Sequence, residues 1–355
     1  MDITRKLEEL LSIVIDHHAS DLHISVGRVP MMRVDGSLVQ IPSEDILDSS
    51  FGQSFLDDVL SDEQCALFIK NKEIDFSYDF SHIARFRVNV FLQRGHFAAA
   101  MRLIPSQIPT LDELGHPPVL HNLITVKQGF FLVVGPSGQG KSTTLAAIID
   151  EINHMRSCHI ISVEDPIEYL FTNDKAIVDQ REVGQDTRDF NSALRSILRQ
   201  DPDVIMVGEM RDPETISAAM TAAETGHLVF STLHTNNASQ TIDRIIDAFP
   251  STQQNQVRAQ LSNVLLGVLS RRLLAKIGGG RSAAFELLIS TPAVRNLIRE
   301  NKTHQIDLVI ETSSDEGMIS LNRSLALLVK KGEITYEEAI SHSVNPSELK
   351  ILVAR

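Results

Sequence analysis

Residues 135–142 read GPSGQGKS, the complete pattern of a phosphate-binding P-loop. The apolar run at residues 130–134 precedes the loop as a predicted strand, and residues 142–149 follow it as a predicted helix. Such a loop points successive backbone N–H groups at phosphate oxygens, and the helix adds the positive end of its dipole. Because the motif lies between a strand and a helix, the sequence predicts a site for a nucleoside triphosphate.

The residue types of this loop each have a chemical reason. Glycines let the backbone take the left-handed turns that a phosphate cradle needs. Lys141 is long enough to reach the β- and γ-phosphates, and the hydroxyl of Ser142 can bind a magnesium ion. The predicted nucleotide-binding residues are Gly135, Ser137, Gly138, Gln139, Gly140, Lys141, Ser142 and Thr143.

Three further polar clusters follow or flank predicted strands, at residues 163–168, 199–212 and 225–235. Ligands of open α/β sheets bind at the carboxyl ends of the strands, so these clusters should lie near the nucleotide. Glu209 comes at the end of a hydrophobic strand, as the acid of a Walker B element does. We therefore predict that Glu209 orients and deprotonates the attacking water.

One position departs from the Walker B pattern. Gly208, rather than an aspartate, directly follows the strand. Magnesium would then be held mainly by Ser142, the phosphates and waters. Either Glu164 or Glu168 could support the metal ion or the water, and the sequence leaves that choice open.

Other polar residues near these strands have simpler interpretations. Asp212 precedes Pro213 and is predicted to cap a helix. His227 and His234 lie seven residues apart across a strand, and this odd spacing places their side chains on opposite faces. We therefore expect no shared metal site. His234, at the carboxyl end, could sense the γ-phosphate, whereas His227 is predicted to be structural or to lie at an interface.

The order of predicted elements indicates a protein of more than one domain. Residues 119–290 alternate strands and helices, which indicates a mostly parallel, doubly wound α/β sheet. Residues 1–104 mix short helices and strands, as a smaller α+β domain does. Four prolines make residues 105–118 a semi-rigid linker, and residues 291–355 are predicted to be helical. The predicted core strands are residues 129–134, 159–163, 204–207 and 228–233.

Local patterns add detail at both ends of the chain. Polar and apolar residues alternate over residues 85–91, which predicts a half-buried strand, with residues 97–103 as its hairpin partner. A capping box is predicted at residues 251–254 and a second helix cap at residues 335–338. Apolar residues then recur at helical spacing, at Val257, Leu261, Val264, Leu265 and Val268.

Composition narrows the class of protein. A formal charge of −13 over 355 residues argues against a general binder of nucleic acid or anionic lipid. The two cysteines, Cys65 and Cys158, are far apart in sequence, which fits a reducing cytoplasm and gives no zinc site. No apolar stretch approaches the roughly 18 residues of a membrane span. We therefore expect a cytoplasmic protein.

Taken with the P-loop, the other motifs resemble those of the secretion ATPases of type II secretion systems and type IV pili. The resemblance covers the aspartate box at residues 164–169, the Walker B element at residues 201–209 and the histidine box at residues 226–234. Residues 19–25 also match the family, so that the similarity extends over nearly the whole chain.

Within this family, the chain is similar to the retraction motors of type IV pili. Residues 293–300, AVRNLIRE, match an element of those motors with one conservative change. Export and extension ATPases of the family usually carry a four-cysteine metal module, which this sequence lacks. Ser137 and Gln139 stand where the family usually has Thr and Ser. Both positions act mainly through backbone N–H groups, so we expect little effect from these differences.

The resemblance implies an architecture and partners. It implies a homohexamer in which an N-terminal PAS-like domain precedes a RecA-like ATPase core, with ATP and Mg²⁺ held between the two domains. It also implies a pilus platform protein of the inner membrane as the partner. The ring would then lie at the inner face of the cytoplasmic membrane, with peripheral membrane association through that partner and no nucleic acid bound.

A basic hairpin precedes the predicted linker. Its arginines could cover the triphosphate or serve as an arginine finger, although alternating arginines are also common on solvated strand faces. We select Arg94 and Arg102 as candidate catalytic residues, together with Glu209, Glu164 and His234. The hairpin carries Arg85, Arg87, Arg94 and Arg102.

Three alternatives to a retraction motor remain open at the level of sequence. The same enzyme could drive pilus extension or secretion, or assist retraction beside a second ring. A RecA-like core could also serve a nucleic-acid motor, against which the acidic charge argues. The third alternative is a nucleotide-binding assembly scaffold that does not hydrolyse ATP, against which Glu209 argues.

Overall fold

The computed structural model describes residues 3–34, 36–42, 44–81, 83–104 and 107–354. The chain divides into two compact units. The first comprises Met1–Gln107 and the short segment Pro166–Leu170, and the second comprises Ile108–Asp165 and Phe171–Arg355.

The first unit is built on an antiparallel sheet of six strands in the order β3-β2-β1-β6-β5-β4. Its elements are α1 (Ile3–Asp16), β1 (Asp21–Ser25), β2 (Met31–Val34), β3 (Ser37–Gln40), α2 (Ser49–Val59), α3 (Asp62–Asn71), β4 (Glu73–Phe80), β5 (Ala84–Gln93) and β6 (His96–Ile104). Helix α1 buries Leu7, Leu10 and Val14, whose spacing of three and four residues forms one apolar stripe. This stripe and the inward residues of the strands share one hydrophobic core.

The predicted hairpin of the first unit is confirmed as β5 and β6, which pair in antiparallel register. Arg94 and Gly95 form its two-residue turn, with φ angles of +51° and +77°. Positive φ at both turn positions matches the right-handed twist of the flanking strands. The geometry of this turn therefore fixes the backbone position from which the side chain of Arg94 extends.

The second unit contains a sheet of seven strands in the order β13-β12-β7-β11-β10-β8-β9. Its elements are a 3₁₀ helix (Pro118–Thr125), β7 (Gly129–Val134), α4 (Lys141–Met155), β8 (His159–Glu164), β9 (Ile177–Glu182), α5 (Phe190–Ile197), β10 (Val204–Val207), α6 (Pro213–Glu224), β11 (Leu228–Leu233), α7 (Ala238–Asp247), α8 (Ser251–Val264), β12 (Leu265–Ala275) and β13 (Arg281–Ile289). All four predicted core strands are present, as β7, β8, β10 and β11. Their pairing is parallel, so their carboxyl ends meet at one edge.

Two local predictions for α8 and the chain beyond it are wrong. Helix α8 begins at Ser251 with Pro250 at the N-cap position and no side-chain cap, so residues 251–254 form no capping box. The helical spacing predicted from Val257 to Val268 holds only as far as Val264, where α8 ends, and Val268 lies in β12. β12 runs between β7 and β13 and is largely buried, so it is apolar at most positions. Such a run also fits helical spacing.

The remaining chain of the second unit is helical. It forms α9 (Pro292–Arg299), α10 (Ile306–Thr312), α11 (Leu321–Lys330), α12 (Tyr336–His342) and α13 (Pro346–Ala354), with short 3₁₀ turns between them. The predicted cap at residues 335–338 is confirmed, since the hydroxyl of Thr335 accepts from the amide of Glu338. Over the residues that the structure describes, we find no helix with the length and apolarity needed to cross a membrane.

Candidate active site

The P-loop leaves the carboxyl end of β7 and leads into α4. Gly138 and Gly140 have φ angles of +76° and +78°, and that of Gly135 is +147°. These conformations strain any residue with a β-carbon. At Gly135 a β-carbon would also lie 2.7 Å from the carbonyl oxygen of Arg271. Positive φ therefore favours glycine at all three positions, and at Gly135 the neighbouring Arg271 also excludes a side chain.

The side chain of Lys141 turns back into the loop and is only 8% exposed. Its Nζ donates to the carbonyl oxygens of Gly135 and Pro136, at 2.9 and 3.0 Å. A phosphate oxygen is charged and therefore a stronger acceptor than a peptide carbonyl. The ammonium group can exchange these carbonyls for phosphate, so the loop has the charge and the geometry that a triphosphate requires.

His234 lies beside this lysine, at the carboxyl end of β11. Its Nδ1 is 3.4 Å from both Nζ of Lys141 and Oγ of Ser137. Burial, and next the positive charge of Lys141, lower the pKa of His234. The ring is therefore neutral at neutral pH, which leaves one ring nitrogen as a hydrogen-bond donor and the other as an acceptor.

Glu209 follows β10, the strand next to β11, and faces His234 across the edge of the sheet. Its Oε2 lies 3.6 Å from Nε2 of His234. Its Oε1 is bound by the guanidinium of Arg211, whose pKa this hydrogen bond raises. The predicted base and the predicted sensor of the γ-phosphate are therefore brought together with Lys141, while Arg211 covers one oxygen of the base.

The structure explains the glycine that departs from the Walker B pattern. A β-carbon on Gly208 would lie 3.3 Å from the carbonyl oxygen of Val163 and 3.4 Å from Cα of Glu164. An aspartate could enter only if β8 moved. The position is therefore glycine for reasons of packing, and the acid of this element is placed one residue later.

The two candidate supporting acids lie in different units. Glu164 ends β8 in the second unit, where its Oε1 accepts from Ser162 at 2.6 Å and from Gln180 at 3.1 Å. Glu168 belongs to the first unit, in which its carboxylate lies 3.5 Å from the guanidinium of Arg87. Of the two, Glu164 shares its unit with the P-loop, and its role at the water or the metal stays a prediction.

Asp212 and His227 have the structural roles that the sequence predicted for them. Asp212 is the N-cap of α6 and accepts from the amide of Thr215 at 2.8 Å. Although burial raises its pKa, hydrogen bonds led by those from Thr215 produce a net lowering. His227 precedes β11, and its Nδ1 lies 2.8 Å from the carbonyl oxygen of Ala222.

The candidate finger arginines belong to the first unit. Nε of Arg102 donates to Oδ1 of Asp21 at 2.9 Å, although most of the side chain is exposed. Arg33 approaches the other oxygen of Asp21, at 3.8 Å. Asp21 thus binds Nε of the Arg102 guanidinium. The role of Arg102 and Arg94 at the nucleotide stays a prediction.

Sequence reasoning missed a buried cluster behind the P-loop. Nη1 of Arg271, on β12, donates to the carbonyl oxygen of Gly140 at 3.0 Å and to the hydroxyl of Thr144 at 2.6 Å. His116 lies 3.0 Å from the same hydroxyl. Burial, and next the charge of Arg271, lower the pKa of His116 to about 3. A strand arginine and a lone histidine before the P-loop gave no signal, because only the fold brings them together.

The P-loop itself fits a nucleotide-bound magnesium ion. No group of three or more His, Cys, Asp or Glu side chains in the described ranges is arranged to hold a metal. Magnesium bound with a nucleotide takes most of its ligands from phosphates and waters and needs few from the protein. Ser142, directly after Lys141 in the first turn of α4, is placed to supply a hydroxyl, with Thr143 next to it.

Comparisons with known proteins identify the family. Residues 2–279 match the family described as Type II/IV secretion system protein. The chain belongs to this family. It is 49% identical to the type IV pilus retraction ATPase PilT of Pseudomonas aeruginosa over 341 residues, which cover 96% of this chain and 97% of the relative. The predicted family, the α/β fold with a RecA-like ATPase core and the helical C-terminal region are thereby confirmed.

Two further comparisons place the chain within the secretion ATPases. It is 40% identical to the type IV pilus ATPase PilU of the same organism over 349 residues, which cover 98% of this chain and 91% of PilU. The crystal structure of the pilus retraction motor PilT with bound ADP superimposes with a TM-score of 0.90 at 48% identity, covering 97% of this chain and 98% of PilT.

Proposed function

We propose that this chain is an ATP-hydrolysing motor, assembled as a homohexameric ring, whose nucleotide-dependent domain rotation drives type IV pilus retraction and twitching motility. The convergence of Lys141, His234 and Glu209 at the carboxyl ends of three neighbouring strands supports hydrolysis. Near full-length identity of 49% to a retraction ATPase supports retraction as the output.

In this proposal each side chain has one task. Lys141 leaves the loop carbonyls and binds the β- and γ-phosphates, and Ser142 contributes a hydroxyl to the magnesium ion. Glu209 takes a proton from the attacking water, whose oxygen bonds to the γ-phosphorus while the bond from that phosphorus to the bridging oxygen of ADP breaks. His234, which is neutral beside Lys141, forms a hydrogen bond with the γ-phosphate. Because His234 also contacts Glu209, binding of the γ-phosphate changes the surroundings of Glu209. Magnesium, when bound, neutralises charge that develops on the phosphates.

Arg211 sets a condition on this reaction. The guanidinium of Arg211 occupies Oε1 of Glu209, so the water must approach Oε2 unless this ion pair opens. Arg102 and Arg94 are proposed to approach the γ-phosphate when the ring closes.

The proposed partners follow from the motor function. The ring would act at the inner face of the cytoplasmic membrane on a platform protein of the inner membrane, and membrane association would be peripheral, through that partner. The formal charge of −13 supports the expectation that nucleic acid is not a ligand. The 40% identity to PilU keeps an accessory retraction ATPase as the second candidate.

Deletion of the gene, followed by imaging of pili and of twitching, tests the output. If the motor drives retraction, the deletion should leave cells with many long pili and no twitching. The wild-type gene should restore twitching, and the Lys141→Ala gene should not. Loss of pili would instead indicate an extension motor. Retraction that continues, but fails under load, would indicate the accessory role.

A further inference from the structure

Strand β12 continues beyond the point at which its neighbour β7 stops. β7 pairs with β12 only as far as Ser270, because Val134 is the last residue of β7 before the P-loop. Residues 271–275 of β12 pair with β13 alone. We call these five residues the β12 overhang. On its open side the overhang faces the P-loop, which replaces the missing strand.

Arg271, the first residue of the overhang, contacts both ends of the P-loop. Its carbonyl oxygen lies against Gly135, where a β-carbon would approach to 2.7 Å. Its guanidinium donates to the carbonyl oxygen of Gly140 and lies where a β-carbon on Gly140 would approach to 3.0 Å. Arg271 is only 4% exposed, and a buried guanidinium needs such acceptors. The P-loop therefore has a fixed surface at its back.

Gln139 adds a contact that the backbone alone cannot make. Its side-chain oxygen accepts a hydrogen bond from the amide of Leu273. Leu273 lies two residues after Arg271, and its amide faces the open side of the overhang. The family usually has serine at this position, and a serine hydroxyl is two carbon–carbon bonds short of this reach. We expected Gln139 to act mainly through its backbone N–H group, and the structure adds this side-chain contact.

We infer that Gln139 is a positioning residue, which fastens the P-loop to the β12 overhang and so holds its amides ready for phosphate before the nucleotide arrives. This inference rests on the proposed nucleotide-binding function of the loop. One hydrogen bond contributes a net stabilisation that corresponds to about a two- to tenfold shift in an equilibrium. Its loss should therefore loosen the loop without unfolding the domain.

Hydrogen–deuterium exchange of the nucleotide-free protein tests the inference without any turnover. Gln139→Met keeps the length of the side chain and removes the acceptor, so the amides of residues 137–140 should exchange about two- to tenfold faster. Gln139→Glu keeps an acceptor and should retain the wild-type rates. Glu338→Met is the matched control, because Glu338 accepts from the amide of Ala275 on the same overhang, and it should leave those rates unchanged.

ATP turnover supplies the second readout. Gln139→Met should raise KM for ATP about two- to tenfold and leave kcat unchanged, because a preorganised loop contributes equally to the bound ground state and the transition state. Wild-type exchange rates and KM in Gln139→Met, in a protein that binds ATP normally, would overturn the positioning role. A wild-type protein that does not bind ATP would instead overturn the proposed function.

Discussion

Nε2 of His234 lies 3.6 Å from Oε2 of Glu209. This contact connects the carboxyl ends of the neighbouring strands β11 and β10. The lowered pKa of His234 keeps the ring neutral, so this contact is the close approach of a neutral ring to a carboxylate rather than an ion pair. A phosphate that binds His234 would therefore alter the surroundings of Glu209, the carboxylate that we propose deprotonates the water. The arrangement gives hydrolysis a way to respond to the γ-phosphate.

Glu209→Gln should separate nucleotide binding from chemistry. The substitution keeps the shape of the side chain and removes the base, so turnover should fall by roughly 10²–10⁴ while ATP still binds. Steady-state phosphate release and equilibrium ATP binding measure the two effects. Glu164→Gln is the comparison. An inactive Glu164→Gln enzyme, together with a Glu209→Gln enzyme that retains turnover, would mean that Glu164 rather than Glu209 is the base.

Arg102→Ala should impair hydrolysis more than binding. A finger that neutralises charge on the γ-phosphate contributes mainly in the transition state, so turnover should fall about 10³-fold with a smaller loss of ATP affinity. Arg33→Ala is the matched control, because Arg33 also approaches Asp21. If both variants lose the same activity, then the effect comes from Asp21 and the sheet. Arg94→Ala should behave as Arg102→Ala does if both arginines reach the phosphate.

His116 should make the second unit sensitive to acid. Its pKa of about 3 in the fold lies below the usual 6.5, so between these two values the unfolded chain binds a proton that the folded chain excludes. Stability therefore falls as the pH drops from 6.5 toward 3, at up to about 1.4 kcal/mol per pH unit. Urea unfolding of the wild type and of His116→Gln at several pH values measures this slope. Equal slopes for the two proteins would refute the assignment.

Helix α9 presents a candidate surface for force transmission. Val294 and Ile298 are its buried residues, while Arg299 is exposed and Nε of Arg295 lies 3.3 Å from the hydroxyl of Ser290. Replacing both arginines with alanine should leave ATP hydrolysis intact and stop pilus retraction in cells. Lys302→Ala, just beyond the helix, is the control and should twitch normally. Normal twitching of the double variant would exclude this surface, and loss of the proposed hexamer would show that the arginines are structural.

Strongly patterned elements could be predicted from the sequence, and elements defined by their neighbours could not. β7, β10 and β11 are apolar runs that end in chemical motifs, so both their type and their place followed from the residues. β12 could not be distinguished from an extension of α8, because burial on both faces removes the alternation that marks a strand.

The same limit applies within the site. The motif at residues 135–142 predicted the positions of Lys141 and Ser142, since their roles depend on local spacing. Arg271 is about 130 residues away in sequence, and nothing but strand order brings it behind the loop. The side-chain contact of Gln139 could not be predicted, because the amide that it binds belongs to that same distant strand.

ATP binding to purified Lys141→Ala tests whether the P-loop holds the nucleotide. We predict tight binding of ATP with magnesium to the wild-type protein. We predict loss of tight binding in Lys141→Ala, because the variant lacks the ammonium group that donates to the carbonyl oxygens of Gly135 and Pro136 in the loop. Isothermal titration calorimetry measures both affinities, with circular dichroism as the check on folding. Near-equal affinities in two folded proteins would contradict the claim that this loop holds the nucleotide.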